Sequence, residues 1–225
     1  MADDTNPTAT AATSPSALSG AAQEDEVYGL LGALLGTLEV VATDEEQPVA
    51  PVQEERLRSA LALCGRLQTY IESLLTLAGE DLGRRLRRAH CLVRPLVEHA
   101  VRGALRRFEA QAVSLRLPAS AAWGEQRVYV DASRVDRALR GLAEALVDRV
   151  GEGGAIDLSV DRMGRHVVLV LRGRSRVDGG SRVIGPGTAL LERAARHLLE
   201  LHGGGLSLDP AQLALEVRLP ASEVA

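Results

Sequence analysis

The sequence contains no lysine; all 26 of its basic residues are arginine. Aromatics are nearly absent, with one Trp, one Phe and three Tyr making up 2% of 225 residues. A core must therefore be built from Leu, Val and Ala, and a chain rich in Leu, Ala and Arg favours helices. Cys64 and Cys91 are the only cysteines. They form neither a CxxC pair nor a disulfide framework, which suits a reducing cytoplasm. No stretch reaches the roughly 18 consecutive apolar residues of a membrane helix, and no basic segment followed by an apolar one opens the chain. A cytoplasmic protein without a membrane partner is expected. The net charge of −4 and pI near 5.8 argue against a nucleic-acid binder, whose domains are usually basic. Histidine is missing from the first 89 residues; His90, His99, His166, His197 and His202 all follow.

What is present divides into segments. With 46% hydrophobic residues, the length suffices for a small helical domain plus a compact α/β one. Residues 1–22 are rich in Ala, Thr, Ser and Pro without periodicity and read as a disordered tail. From about Asp25 to Val41, Leu30, Leu31, Leu34, Leu35 and Leu38 recur at helical spacing. Gly29, Gly32 and Gly36 weaken this helix but would let another approach closely. After a loop with Pro48 and Pro51, a second helix is expected over about Val52 to Ala78. Its apolar stripe is Leu57, Leu61, Cys64, Leu67, Ile71, Leu74, Leu75 and Ala78. One αα-hairpin cannot hide both stripes. Either two hairpins form a four-helix bundle, making residues 23–80 a homodimerisation domain, or the stripes pack on the rest of the same chain.

Residues 81–90 read as a charged linker. Its Arg84, Arg85, Arg87 and Arg88 are either a solvated helix end or a contact for an acidic partner. In residues 91–225 the pattern becomes helix, strand, strand, helix, strand, strand, helix, strand, strand. Ser133 is a candidate start signal for the middle helix, Gly164 sits in a strand–turn–strand, Gly203 closes the last helix, and Asp209-Pro210 separates the last strands. This order predicts an α+β chain: a helical hairpin followed by an α/β sandwich with one mixed sheet and helices on one face.

A helical hairpin, then VYVDASRVDRALRGLAEAL, then IGPGTALLERAARHLLELHGGGLSL and EVRLP resembles the cytoplasmic core of bacterial histidine kinases. That core is a dimerisation and histidine-phosphotransfer hairpin followed by a GHKL-type ATP-binding domain. The resemblance covers about residues 25–220. It implies a phosphoacceptor histidine near the start of the first helix, yet QEDEVYG holds none. It implies N-box asparagines that serve nucleotide phosphate and magnesium, yet these positions are Gly141 and Ala145, with no side-chain oxygen. It implies DxGxG after the strand VVLVLRG. One register puts Arg172, Arg174 and Arg176 there, the other Gly173, Ser175 and Val177, and neither supplies the acid or the glycine pair. Of the G2 box, GPGTAL keeps Gly185 and Gly187, either a generic anion site at a helix N-terminus or a plain turn. Glu144 and Asp148, spaced ExxxD, are expected to be solvated.

The resemblance, with its polar residues missing at three motifs, implies a non-catalytic, kinase-like signalling adaptor without metal or cofactor. The layout is also similar to dimeric bacterial histidine phosphotransferases. The expected partners are a second copy and a receiver domain. The expected contact is formed by Glu26, Tyr28 and Thr37 of the first helix together with Arg84, Arg85, Arg87 and Arg88. A histidine phosphotransferase or receiver phosphatase with an atypical site, and an atypical GHKL ATPase or kinase, are the alternatives.

Overall fold

The structure is a computed structural model that describes residue 29 and residues 32–42, 50–78, 86–176 and 185–222. Glu26, Tyr28, Arg84 and Arg85 lie outside these described residues. Residues 32–42 form helix α1, and α2 runs over Pro51–Ala78. The rest follows as β1 (Ala89–Leu92), α3 (Val93–Ala110), β2 (Ser114–Arg116), α4 (Ser120–Trp123), β3 (Arg127–Val130) and α5 (Ala132–Val150). It ends with β4 (Ala155–Met163), β5 (His166–Arg174), α6 (Pro186–Leu201), β6 (Gly205–Asp209) and β7 (Ala214–Pro220).

The strands make a five-stranded mixed sheet in the order β2-β4-β5-β7-β6, with β2 parallel to β4 and the other neighbours antiparallel. The expectation of one sheet needs correction. β3 does not join it but pairs antiparallel with β1 as a separate two-stranded sheet, tied to the end of the main one by a bridge between Val128 and Ala221. Val128 and Val130 alternate inward along β3 and are fully buried, which fixes its register.

Helices α3, α5 and α6 cover one face of the sheet. Their buried Val97, Leu142, Leu146 and Leu198 meet Ile156, Leu169, Leu215 and Val217 in one core. Each such side chain contributes about 1.5–3 kcal/mol on burial. Helix α5 starts at Asp131, whose carboxylate accepts from the Arg134 N–H at 3.4 Å and from the Ser133 hydroxyl at 2.9 Å. The cap is therefore Asp131 and not Ser133, which only buttresses it. Asp131 also accepts from the Arg87 N–H at 2.9 Å, so the end of the linker is pinned to the start of α5. Gly164 (φ +59°) turns β4 into β5, and Gly203 (φ +74°) follows the C-cap of α6, both conformations that L side chains rarely adopt.

Candidate functional site

The positions singled out by the resemblance converge on α5, the N-terminus of α6 and the end of β5. Gly141 is buried and faces α6; a Cβ placed on it would already touch Leu191 at 3.8 Å. Leu191 is itself buried, so further side-chain atoms would enter a packed contact between α5 and α6. Ala145 is fully buried one turn later. On β5, Val167, Leu169 and Leu171 join the helix-facing core, so by strand alternation Gly173 faces the helices and Arg172 and Arg174 face away. Arg174 pairs with Asp157 of β4 at 2.6 Å on that outer face. A Cβ on Gly173 would lie 2.4 Å from Val150 of α5. The helix-facing register is thus the one holding Gly173, and the place of an acidic side chain there is filled by Val150.

Gly185 and Gly187 sit at the start of α6, where Gly185 is the N-cap and makes no side-chain capping bond. The surface over Gly187 is taken by Tyr70 of α2: a Cβ on Gly187 would lie 2.3 Å from the Tyr70 hydroxyl. This contact belongs to a longer one. Helix α2 packs along α6 and touches α3, and its side chains reach α5. The residues it buries are polar: Thr69, Glu72, Ser73 and Thr76. Glu72 accepts from Arg140 of α5 at 2.6 Å and from Gln68 at 3.2 Å, with Arg137 at 4.0 Å. The Thr69 hydroxyl donates to Glu144 at 3.2 Å. Meanwhile Leu63, Leu67 and Leu74 of the opposite face are 63%, 49% and 55% exposed. Helix α2 thus buries polar residues against the body and leaves part of its apolar side exposed, with Leu57, Leu61, Cys64, Ile71 and Leu75 half-buried.

Contrary to the expectation of a solvated face, the acidic pair of α5 is largely buried. Glu144 is 8% exposed, and burial raises its carboxyl to about 7, against the lowering effects of Arg140, the Thr69 hydrogen bond and Arg107. Asp148 pairs with Arg107 of α3 and accepts from Thr188 of α6 at 3.3 Å. Arg149 pairs with Glu192 of α6 at 2.6 Å, with both side chains mostly buried. The reason is the company α5 keeps. It has neighbours on three sides, and its polar residues serve as ties between helices. Among the described residues no group of three His, Cys, Asp or Glu side chains is set to hold a metal ion.

Of the expected partner contacts, Thr37 is exposed on α1 and donates its hydroxyl to the Ala33 carbonyl at 2.8 Å. Arg88 donates to the Leu201 carbonyl at 2.8 Å while remaining exposed, and Arg87 is exposed beyond its pinned main chain. Thr69, Tyr70, Glu72 and Arg140 were not singled out from the sequence. The available signal was the run Thr69, Glu72, Ser73, Thr76, which repeats at helical spacing opposite the apolar stripe. No helix of the described residues is long and apolar enough to cross a membrane.

No protein-family model matches the chain, and no curated protein matches it. Solved structures do match. The histidine kinase AdeS of Acinetobacter baumannii has a TM-score of 0.52 at 15% identity, over 86% of this chain and 96% of that one. Full-length ShkA in complex with AMPPNP has a TM-score of 0.57 at 16% identity, over 91% of this chain and 46% of that one. The histidine kinase ThkA in complex with the response regulator protein TrrA has a TM-score of 0.53 at 11% identity, over 92% and 64%. The chain therefore has a histidine-kinase-like fold, with the mixed sheet of a GHKL-like α/β domain. At these identities the likeness concerns the fold alone.

Proposed function

We propose that this chain is a non-catalytic, histidine-kinase-like signalling adaptor of a two-component-type pathway. It dimerises through the hairpin of residues 23–80, and its GHKL-like part, residues 91–225, binds no nucleotide. The observation that carries this reading is the seating of α2. Its polar face lies over α5 and the N-terminus of α6, where the resemblance would put nucleotide phosphate, and Tyr70 lies over Gly187. The burial of Gly141 and Ala145 and the packing of Val150 at Gly173 support it from the other motifs. ShkA, of similar fold, was captured with AMPPNP, so in this reading it is these residues and not the architecture that set the present chain apart.

The dimer reading is supported by Leu63, Leu67 and Leu74, which share one exposed face of α2, with Leu34 and Val41 exposed on α1. A second hairpin would cover them, each leucine contributing about 1 kcal/mol for its uncovered half. The receiver domain is assigned as partner because ThkA is held with a response regulator. Arg87, Arg88 and Thr37 supply exposed polar groups for that contact. Calorimetry against the receiver domains of the same cell tests the reading. Saturable binding by at least one supports it, and binding by none removes the receiver partner.

One observation favours a second reading, a histidine phosphotransferase with an atypical site. His99 on α3 is exposed, and its Nδ1 lies 2.7 Å from the Asp136 carboxylate of α5, which leaves Nε2 open to solvent. Incubation with a phosphorylated receiver separates the two readings. Label on His99 favours the transferase, and a receiver that keeps its label favours the adaptor.

A further inference from the structure

A cavity of about 170 Å³ lies where α1, α2, α3 and α5 meet. None of its lining residues comes from α6, so it is separate from the α5–α6 surface that α2 covers. Leu35, Leu61, Ala62 and Ala104 make one side apolar. Four guanidinium groups also line the cavity, those of Arg66, Arg106, Arg107 and Arg140, beside Gln68, Thr69 and Glu144.

Three of these are matched by carboxylates. Arg106 pairs with Glu39, Arg107 with Asp148, and Arg140 with Glu72 at 2.6 Å. Arg66 is different, because it donates to the neutral Tyr70 hydroxyl at 2.9 Å. Arg140 Nε is buried without a hydrogen-bond partner, so its N–H goes unused. A buried donor in that condition is costly unless something accepts from it. The remaining ionisable group is Glu144, which lines the same space and whose burial raises its carboxyl to about 7. With Glu144 protonated, the four lining guanidinium groups have three carboxylates between them, one of these shared with Arg137, and positive charge is left over.

We propose that this cavity binds a small tetrahedral oxyanion of the phosphate class, received by the guanidinium groups of Arg66 and Arg140, which fastens the hairpin to the α/β body. Guanidinium forks match the oxygens of such an anion in geometry and charge. The volume has room for one tetrahedral group with a few waters, each water taking about 30 Å³, and is too small for a nucleotide. Because α2 supplies Arg66 and α3 and α5 supply the other walls, an occupant bonds to both parts of the chain at once. Around Glu144 stand Arg66 from α2, Arg107 from α3, and Arg140 and Asp148 on α5. Binding of the anion keeps Glu144 protonated, so affinity falls as the pH rises past 7.

The experiment is calorimetric titration of the full chain with sulfate, whose charge is constant between pH 6 and 8, with inorganic phosphate as a second probe. Chloride at equal ionic strength is the control. Saturable binding is expected at pH 6, at least threefold weaker at pH 8. Arg66→Gln should weaken it tenfold or more, and Arg116→Gln, at an exposed site on β2 outside the cavity lining, should leave it unchanged. In Glu144→Gln the pH dependence should vanish. Should Arg66→Gln fail to fold, the Arg66 and Arg140 Nε resonances of the unaltered chain are followed instead; sulfate should shift both, and resonances that stay in place overturn the proposal. Sulfate binding no better than chloride, or Arg66→Gln binding as well as the parent, overturns it equally.

Discussion

Replacing Glu144 with Gln should stabilise the protein above neutral pH and have a much smaller effect, about 1 kcal/mol, at pH 5. In the folded chain burial raises the Glu144 carboxyl from 4.5 to about 7. Between those values the native state holds a proton that the unfolded state has released, so stability falls as the pH rises through this window and is flat above it. At about 1.36 kcal/mol per pH unit, the displacement corresponds to roughly 3 kcal/mol. Gln cannot ionise and can still accept from Thr69, so the variant avoids that loss. A chain of this size changes its Tm by about 2–4 °C per kcal/mol, so at pH 8 Glu144→Gln should melt roughly 6–12 °C above the parent. His202 acts in the opposite sense. Burial pushes its imidazole below 6.5, so stability is lost as the pH falls below that value. The parent and variant share this loss, and the difference between their melting curves at pH 5 and pH 8 isolates Glu144. Equal melting at both pH values, or a variant destabilised at both, would refute the reasoning that α2 and its neighbours bury this carboxyl.

Three further outcomes follow from the same contacts. Glu72→Gln removes the charge that holds Arg140 at 2.6 Å; it should cost about 1–2 kcal/mol in chemical denaturation and speed hydrogen exchange in the second half of α2. Gly141→Asn with Ala145→Asn should cost about 1–3 kcal/mol by overpacking against Leu191 and should still give no nucleotide binding, as read by a fluorescent ATP analogue. Leu67→Glu with Leu74→Glu, at positions already exposed in the single chain, should preserve the helical circular dichroism yet turn a dimer into a monomer in light scattering.

The long, strongly patterned elements were legible in the sequence. Helix α2 was expected at about Val52 to Ala78 and spans Pro51–Ala78, and the turn at Gly164 and the stop at Gly203 fall where expected. Short pieces were not. The four-residue β1, AHCL, carries no alternation and follows a run of arginines, and the single turn of α4, SAAW, has no period to read. Without β1, nothing local could say that β3 pairs outside the main sheet. The site depended even more on distant partners. Glu144 is buried by a helix whose Thr69 lies 75 residues earlier, so spacing within α5 could not reveal it. The apolar stripe of α2 gave its helical character correctly but not which face meets the body, because that choice is made by Glu72 with Arg140 and by Thr69 with Glu144. At β5 the sequence left two registers open, and strand alternation against Val150 selects the one that holds Gly173.

The most direct test of the account is titration of the full chain with a fluorescent ATP analogue in the presence of magnesium. With α2 seated over α5 and the N-terminus of α6, no saturable signal is predicted up to millimolar analogue, and none is released by unlabelled ATP. Saturable micromolar binding that unlabelled ATP competes away would contradict it, because it would require α2 to leave Tyr70, Thr69 and Glu72 unseated from Gly187, Glu144 and Arg140.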